Sequence, residues 1–207
     1  MSRREESGEL GNMKYSFFAF ISRMKNITRW SLMRNSAVEN VQEHSHMVAV
    51  IAHALAVIRR DIFGQMADPD AAAAAALFHD ASEIFTGDLP TPIKYFDPDI
   101  MTAYKRVEVL SSQKLLSTLP EEMRPAYEPL LSPDETAQLA LVKAADKLAA
   151  YIKCLEELKT GNLEFRLAAE QSQKKLQSLN MPEVDYFIDR FIPAFELTLD
   201  ELDFSFE

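Results

Sequence analysis

The sequence predicts an all-α fold of about seven helices in one domain. Three observations carry that prediction: apolar residues recur at helical spacing, alternating β-branched runs are nearly absent, and the 207 residues include only five glycines. An apolar content of 47% is enough to bury one sizeable core, and no linker or composition shift divides the chain. The segment Met1 to Met13 is polar and charged and reads as a flexible tail, which leaves residues 14–207 for the domain.

Tyr15 to Ile27 is a first short helix. A second starts at Asn40, where Asn40 and Glu43 have the spacing of a capping box, and runs to about Phe63 with Val41, Val48, Ala52, Leu55 and Ile58 on one face. The third opens with Asp68 as N-cap and Pro69 in the first turn, crosses the alanines at 71–76, carries a His79-Asp80 pair, and stops at Gly87. In the following loop, Pro90 and Pro92 predict extended chain. Asp99 to Leu119 is a fourth helix and Pro120 to Leu131 a short irregular helical piece. Ser132, Pro133 and Glu135 start a long helix with another capping box, ending near Gly161. Two more follow at 163–179 and 183–202, the last kinked at Pro193. In it Tyr186, Phe187, Phe191 and Phe195 recur at helical spacing and read as core in preference to an interface.

A net charge of −10 and a pI near 5.0 exclude a nucleic-acid polymer or an anionic membrane as the main partner. A small anionic substrate remains compatible, given a locally positive pocket built from a cation and one or two basic side chains. With Cys154 as the only cysteine, no intrachain disulfide can form and a reducing compartment is expected. No apolar stretch approaches a membrane span and the N-terminus has no apolar signal core, so a soluble cytoplasmic protein is expected.

Chemistry concentrates around the His-Asp pair. On an ideal helix Asp80 lies about 100° from His79 and Glu83 about 40° from it, so all three project from one half of the helix. The first two suit a metal ion and the third a base beside it; the plain alternative is a surface turn with ordinary polar residues. His46 and His53 lie about 160° and 180° around the second helix from His44, so the three cannot serve one site. His44, in a polar context near the helix start, is the candidate ligand. His53, among alanines and leucines, reads as a core or interhelix histidine, and His46 as a surface one.

Asp146 interrupts the apolar stripe of Leu139, Val142, Ala149 and Ile152, where a carboxylate is costly unless paired or bound to a metal; Lys143 and Lys147 are alternative partners. Two imidazoles and two carboxylates suit Mn, Co, Zn or Fe better than Ca or a structural Zn. Such an ion keeps room for water and a substrate oxygen, with Glu83 to handle the proton. Arg29-Trp30, with Lys25 and Arg34 nearby, offers a guanidinium for phosphate and an indole for a sugar or base; alone, the pair reads more readily as a surface charge beside a half-buried aromatic.

His44, His79-Asp80 and Asp146 together resemble the H…HD…D signature of the HD-domain metal-dependent phosphohydrolases. The strings ITRWSLMRN (27–35), ENVQEHS (39–45), FHDASEIFTGDLPTPIKYF (78–96) and YIKCLEEL (151–158) are more specific and resemble the bacterial YfbR family of 5′-deoxynucleotidases, from about Tyr15 to Asp200. The resemblance implies an HD-domain fold and a homodimer. It also implies hydrolysis of deoxyribonucleoside 5′-monophosphates with one divalent ion per chain, cobalt or manganese favoured. Carried over, His44, His79, Asp80 and Asp146 are the metal ligands, Glu83 activates water and Arg29 orients the phosphate. Substrate contacts are implied at Arg29, Trp30, His44, Asp80, Asp146 and the loop Asp88, Leu89, Pro90, Thr91 that faces the deoxyribose. Ser31 stands where the family often has proline. The competing readings are an HD hydrolase of another nucleotide phosphoester and a non-catalytic nucleotide-binding helical module; the single basic cluster favours a monophosphate, and an intact Glu83 favours catalysis.

Overall fold

The computed structural model describes residues 14–94, 96–132 and 137–202. Among them all regular structure is helical apart from an isolated antiparallel bridge between Thr28 and Asn40. In chain order the α-helices are α1 (Phe17–Ile21), α2 (Val41–Val57), α3 (Pro69–Leu77), α4 (Glu83–Thr86), α5 (Thr91–Lys94), α6 (Pro98–Ser117), α7 (Arg124–Leu131), α8 (Ala137–Lys159), α9 (Arg166–Gln177) and α10 (Pro182–Phe191). Short 3-10 turns precede α7 and α9 and follow α1 and α10, and a π turn, Ile58–Ile62, extends α2. Seven of the α-helices have eight residues or more, in accord with the expected all-α architecture.

Local chemistry starts the helices where the sequence has its signals. Asn40 Oδ1 accepts from the Glu43 N–H at 3.0 Å while Glu43 Oε2 accepts from the Asn40 N–H at 3.4 Å, a reciprocal capping box. Asp68 Oδ1 accepts from the Ala71 N–H at 3.0 Å, and Pro69 fills the first turn of α3. α6 begins at Pro98, capped by Asp97. Gly87, at φ 71, closes α4 in a conformation that glycine alone adopts without cost.

Several boundaries depart from expectation. The first helix is cut to α1 and a 3-10 turn, Met24–Asn26. The third does not run through to Gly87: it ends at Leu77, and His79-Asp80 occupies the turn between α3 and α4. The cause is local, since the His79 ring Nδ1 takes the Ala76 carbonyl at 2.7 Å and the Phe78 and His79 N–H groups reach back only three residues, to Ala75 and Ala76. The proline loop is not wholly extended, because Pro92 sits in the first turn of α5, where its missing N–H is no loss; Ile93 and Lys94 donate to the Pro90 carbonyl. The expected capping box needs Glu135, which, like the expected tail at 1–13, lies outside the described residues. The last helix ends at Phe191 and continues past Pro193 as a 3-10 turn.

α2, α3 and α8 form the central layer around Val48, Ala52, Leu55, Ala72, Ala76, Ala145 and Leu148, all of them buried. Ala72 and Ala76 are fully buried, so the alanine run lets α3 lie close against its neighbours. α9 covers the outer side of α8 through Ala169 and Leu176, and α10 packs against α2 and its π turn, adding Val184 and Phe187 to the same core, whereas Phe191 is 45% exposed and outside it. A second cluster, Phe17, Ala81, Leu115, Leu119 and Leu131, joins α1, α6 and α7 to the turn that carries the His-Asp pair. Two buried ion pairs lock the periphery: Arg59 donates to Glu183, joining the end of α2 to the start of α10, and Lys153 donates to Glu157 within α8.

Candidate metal centre and substrate cleft

Three elements of the central layer each contribute to one cluster. His44 comes from the second turn of α2, His79 and Asp80 from the turn after α3, and Asp146 from the middle of α8. One donor atom each from His44, His79 and Asp146 lies within 4.8 Å of the others. His44 Nε2 is 3.0 Å from Asp146 Oδ1 and 3.7 Å from Asp80 Oδ2, and His79 Nε2 is 3.1 Å from Asp80 Oδ2. His44 is fully buried, while the Asp146 side chain is 39% exposed, so the cluster has a buried floor and a face open to solvent. Lys147, an alternative partner for Asp146 on sequence grounds, donates instead to the Lys143 carbonyl.

The donor set fits a divalent cation. The Ala76 carbonyl can only accept, so His79 Nδ1 carries a proton and donates to it, and the neutral ring turns the Nε2 lone pair toward the Asp80 oxygen. Two electron-rich atoms facing each other at 3.1 Å call for a proton or a cation. His79 Nε2 and His44 Nδ1 are both buried without a hydrogen-bond partner. Burial alone would depress the His79 pKa, but the neighbouring Asp80 and Asp146 charges raise it to about 9. Burial opposes the Asp80 charge too, yet His79, His44 and Arg29 hold its carboxyl well below the ordinary range, and the hydrogen bond to His44 likewise lowers Asp146 against its burial.

Glu83 opens α4 beside this cluster, and its Oε2 is buried and unpartnered. Burial first, then the Asp80 and Asp88 charges, push its pKa up to about 9. Alone, such a carboxyl keeps its proton at pH 7; a cation held by the neighbouring donors would draw its pKa down and free the carboxylate to accept one. The Arg29 guanidinium spans the mouth, with Nη1 3.3 Å from Asp80 Oδ2 and Nε 3.1 Å from Glu39 Oε2. Trp30 Nε1 donates to the same Glu39 oxygen at 3.1 Å, and its ring packs on Phe165 at 5.3 Å between centroids. Asp88 is half-buried, and burial raises its pKa against the pull of Arg29. Leu89 and Pro90 follow it, half-buried, while the Thr91 side chain lies outside the described residues.

His46 is exposed, as helical phase implies. His53 is not a core residue: it is half-exposed, 3.8 Å from the fully exposed Asp70, because its position on α2 faces the rim of α3 and not the bundle. Sequence reasoning missed Glu39, one acid among 32, although it opens the family-like string ENVQEHS and stands just before the Asn40 cap. It also missed the buried Lys153–Glu157 pair, whose i,i+4 spacing is common on solvated helix faces.

The model of the YfbR-like 5′-deoxynucleotidase family matches residues 16–195. A 5′-deoxynucleotidase of Erwinia tasmaniensis is 50% identical over 188 residues, covering 90% of this chain and 95% of its own. Among solved structures, an HD-domain phosphohydrolase from Listeria innocua is similar with a TM-score of 0.75 and 26% identity over 87% of this chain and 88% of its own. A cyanophage S-2L HD phosphohydrolase bound to dA and one catalytic Zn2+ shares the fold at a TM-score of 0.60 and 19% identity, over 88% of this chain and 99% of its own.

Proposed function

This chain belongs to the YfbR-like family of 5′-deoxynucleotidases, and from that premise we propose that the cleft lined by His44, His79, Asp80 and Asp146 is its reaction centre. The enzyme is a 5′-deoxynucleotidase: it hydrolyses deoxyribonucleoside 5′-monophosphates to deoxyribonucleoside and phosphate. The observation that carries the assignment of the site is the convergence of two imidazoles and two carboxylates from three helical elements on one solvent-facing point.

His44, His79, Asp80 and Asp146 are the residues that would hold one divalent ion per chain; their mixed nitrogen and oxygen donors suit Mn, Co, Zn or Fe, and the family resemblance favours cobalt or manganese. When bound there, such an ion supplies Lewis-acid polarisation of the phosphoryl oxygen and acidifies water. Arg29 donates to the remaining phosphoryl oxygens and fixes the phosphate for in-line attack. Glu83 takes the proton of the attacking water on its unpartnered Oε2 and delivers a proton to the departing 5′-oxygen, so that charge never accumulates on the leaving deoxynucleoside. Trp30 and the segment Asp88 to Thr91 bound the sugar side, where a ribose 2′-hydroxyl would meet ring carbon or an unpaired carboxylate. We further propose a cytoplasmic location and, as the family resemblance implies, a homodimer; Val107 and Leu110, exposed on α6, are apolar side chains that a second copy would cover.

The test is phosphate release from dAMP, TMP and AMP by purified protein stripped of metal and reloaded with Co2+, Mn2+ or Zn2+. Metal-dependent release from the deoxynucleotides and little from AMP is expected. Absence of release from every deoxynucleotide with every ion would overturn the reading. Sedimentation checks the dimer, which should run at twice 23.5 kDa.

A further inference from the structure

Trp30 has φ 57, a left-handed conformation that costs a bulky residue free energy and persists only where its surroundings over-determine it. Here they do. The Met33 N–H and the Asn35 side-chain amide donate to the Trp30 carbonyl at 2.9 and 3.2 Å. The Arg29 N–H donates to the Glu39 carbonyl at 3.0 Å, pinning the segment to the chain that starts α2. The side chains converge as well: Glu39 Oε2 accepts from Arg29 Nε and from Trp30 Nε1, each at 3.1 Å. Glu39 is 17% exposed and Arg29 13%, so both bonds are shielded from water.

We propose that Glu39 is a positioning residue for substrate selection, its single oxygen Oε2 fixing the Arg29 guanidinium and the Trp30 indole relative to each other so that phosphate and sugar are gripped in one geometry. The proposal rests on the nucleotidase reading above. With Nε held by Glu39 and Nη1 by Asp80, the guanidinium plane is set before substrate arrives. With Nε1 held by the same oxygen, the indole cannot swing aside to admit a bulkier sugar. A carboxylate is required. An amide oxygen could accept both bonds, but it lacks the charge that strengthens the one to guanidinium, and aspartate is one methylene too short to reach. Glu39 touches no reacting atom, and it is the hinge between the two specificity groups.

The sole tryptophan makes the arrangement directly visible. In Glu39→Gln, the Trp30 emission maximum should shift, KM for dAMP should rise about tenfold or more with a smaller change in kcat, and the dAMP-over-AMP preference should fall. In a Trp30→Phe background, where the ring packing on Phe165 is retained and the Nε1 donor is gone, Glu39→Gln should erode selectivity less than it does in wild type. Unchanged emission, unchanged KM and selectivity, or fully additive effects in the double variant would overturn the proposal. Should Glu39→Gln fail to fold by circular dichroism, Trp30→Phe alone decides: it must admit AMP, and undiminished selectivity refutes the proposal. A wild-type protein inactive on every deoxynucleotide refutes the nucleotidase reading instead, while the emission shift still reports on Glu39.

Discussion

At the scale of single residues, the site divides into groups that sequence alone could nominate and groups it could not. His44 stands out from His46 and His53 because helical phase allows only one of them to face the His79 turn, and Asp146 stands out because a carboxylate in an apolar stripe needs a partner, which proves to be His44 at 3.0 Å. Glu83 is the sharpest test of the chemistry. Glu83→Gln keeps the shape and leaves all four candidate ligands in place, so calorimetry should show Co2+ binding retained while kcat falls by about 10²- to 10⁴-fold. Retained turnover would remove Glu83 from the role of base. Asp146→Asn should show the opposite pattern, with metal affinity lost along with turnover, because the His44 partner and one anionic donor disappear together.

At the scale of elements, the position of each helix end matters more than the helices themselves. α3 stops where the His79 ring captures the Ala76 carbonyl, and this early stop turns the His-Asp pair out of the helix and into the cleft. Its start is a separate matter: Asp68→Ala removes the cap from Ala71 and should cost about 1 kcal/mol, read as a lowered Tm with unchanged kcat. The clasp on α8 is worth more. Glu157, 1% exposed, accepts from the Ser36 N–H, the Ser36 hydroxyl, the Asn162 amide and Lys153, anchoring the chain that follows Trp30. Burial would raise its pKa, but these donors hold it well below the ordinary 4.5. A carboxyl depressed in the folded state stabilises fully above its unfolded value of 4.5 and loses that contribution as pH falls toward the lower folded value. Glu157→Gln should therefore cost about 3–5 kcal/mol at pH 7, since Lys153 is left buried and unpaired, and the gap to wild type should shrink in urea melts below pH 4.5.

At the scale of the whole molecule, a chain of net charge −10 takes an anionic substrate because the acids at the cleft are matched by Arg29 and by the cation that His44, His79, Asp80 and Asp146 fit. These candidate ligands come from α2, the α3–α4 turn and α8, so an ion bound to them would tie the central layer together. Thermal melts with Co2+ at a hundredfold excess over Kd should gain about 2.7 kcal/mol over the metal-free protein, and Asp146→Asn should abolish that gain. By itself the sequence determined the all-α class, the capped starts of α2 and α3, and the candidacy of His44 and Asp146, because caps, helical periodicity and apolar stripes are written within a few residues of chain; the His79-Asp80 pair was visible as a motif, although it sits in a turn and not on the helix that its phase assumed. Tertiary structure alone decided that α3 ends before His79, that His53 faces solvent, and that Glu39 joins Arg29 to Trp30. Those outcomes depend on which carbonyl a ring reaches and which side chains meet across 9 or 10 residues of irregular chain, and no local pattern encodes either.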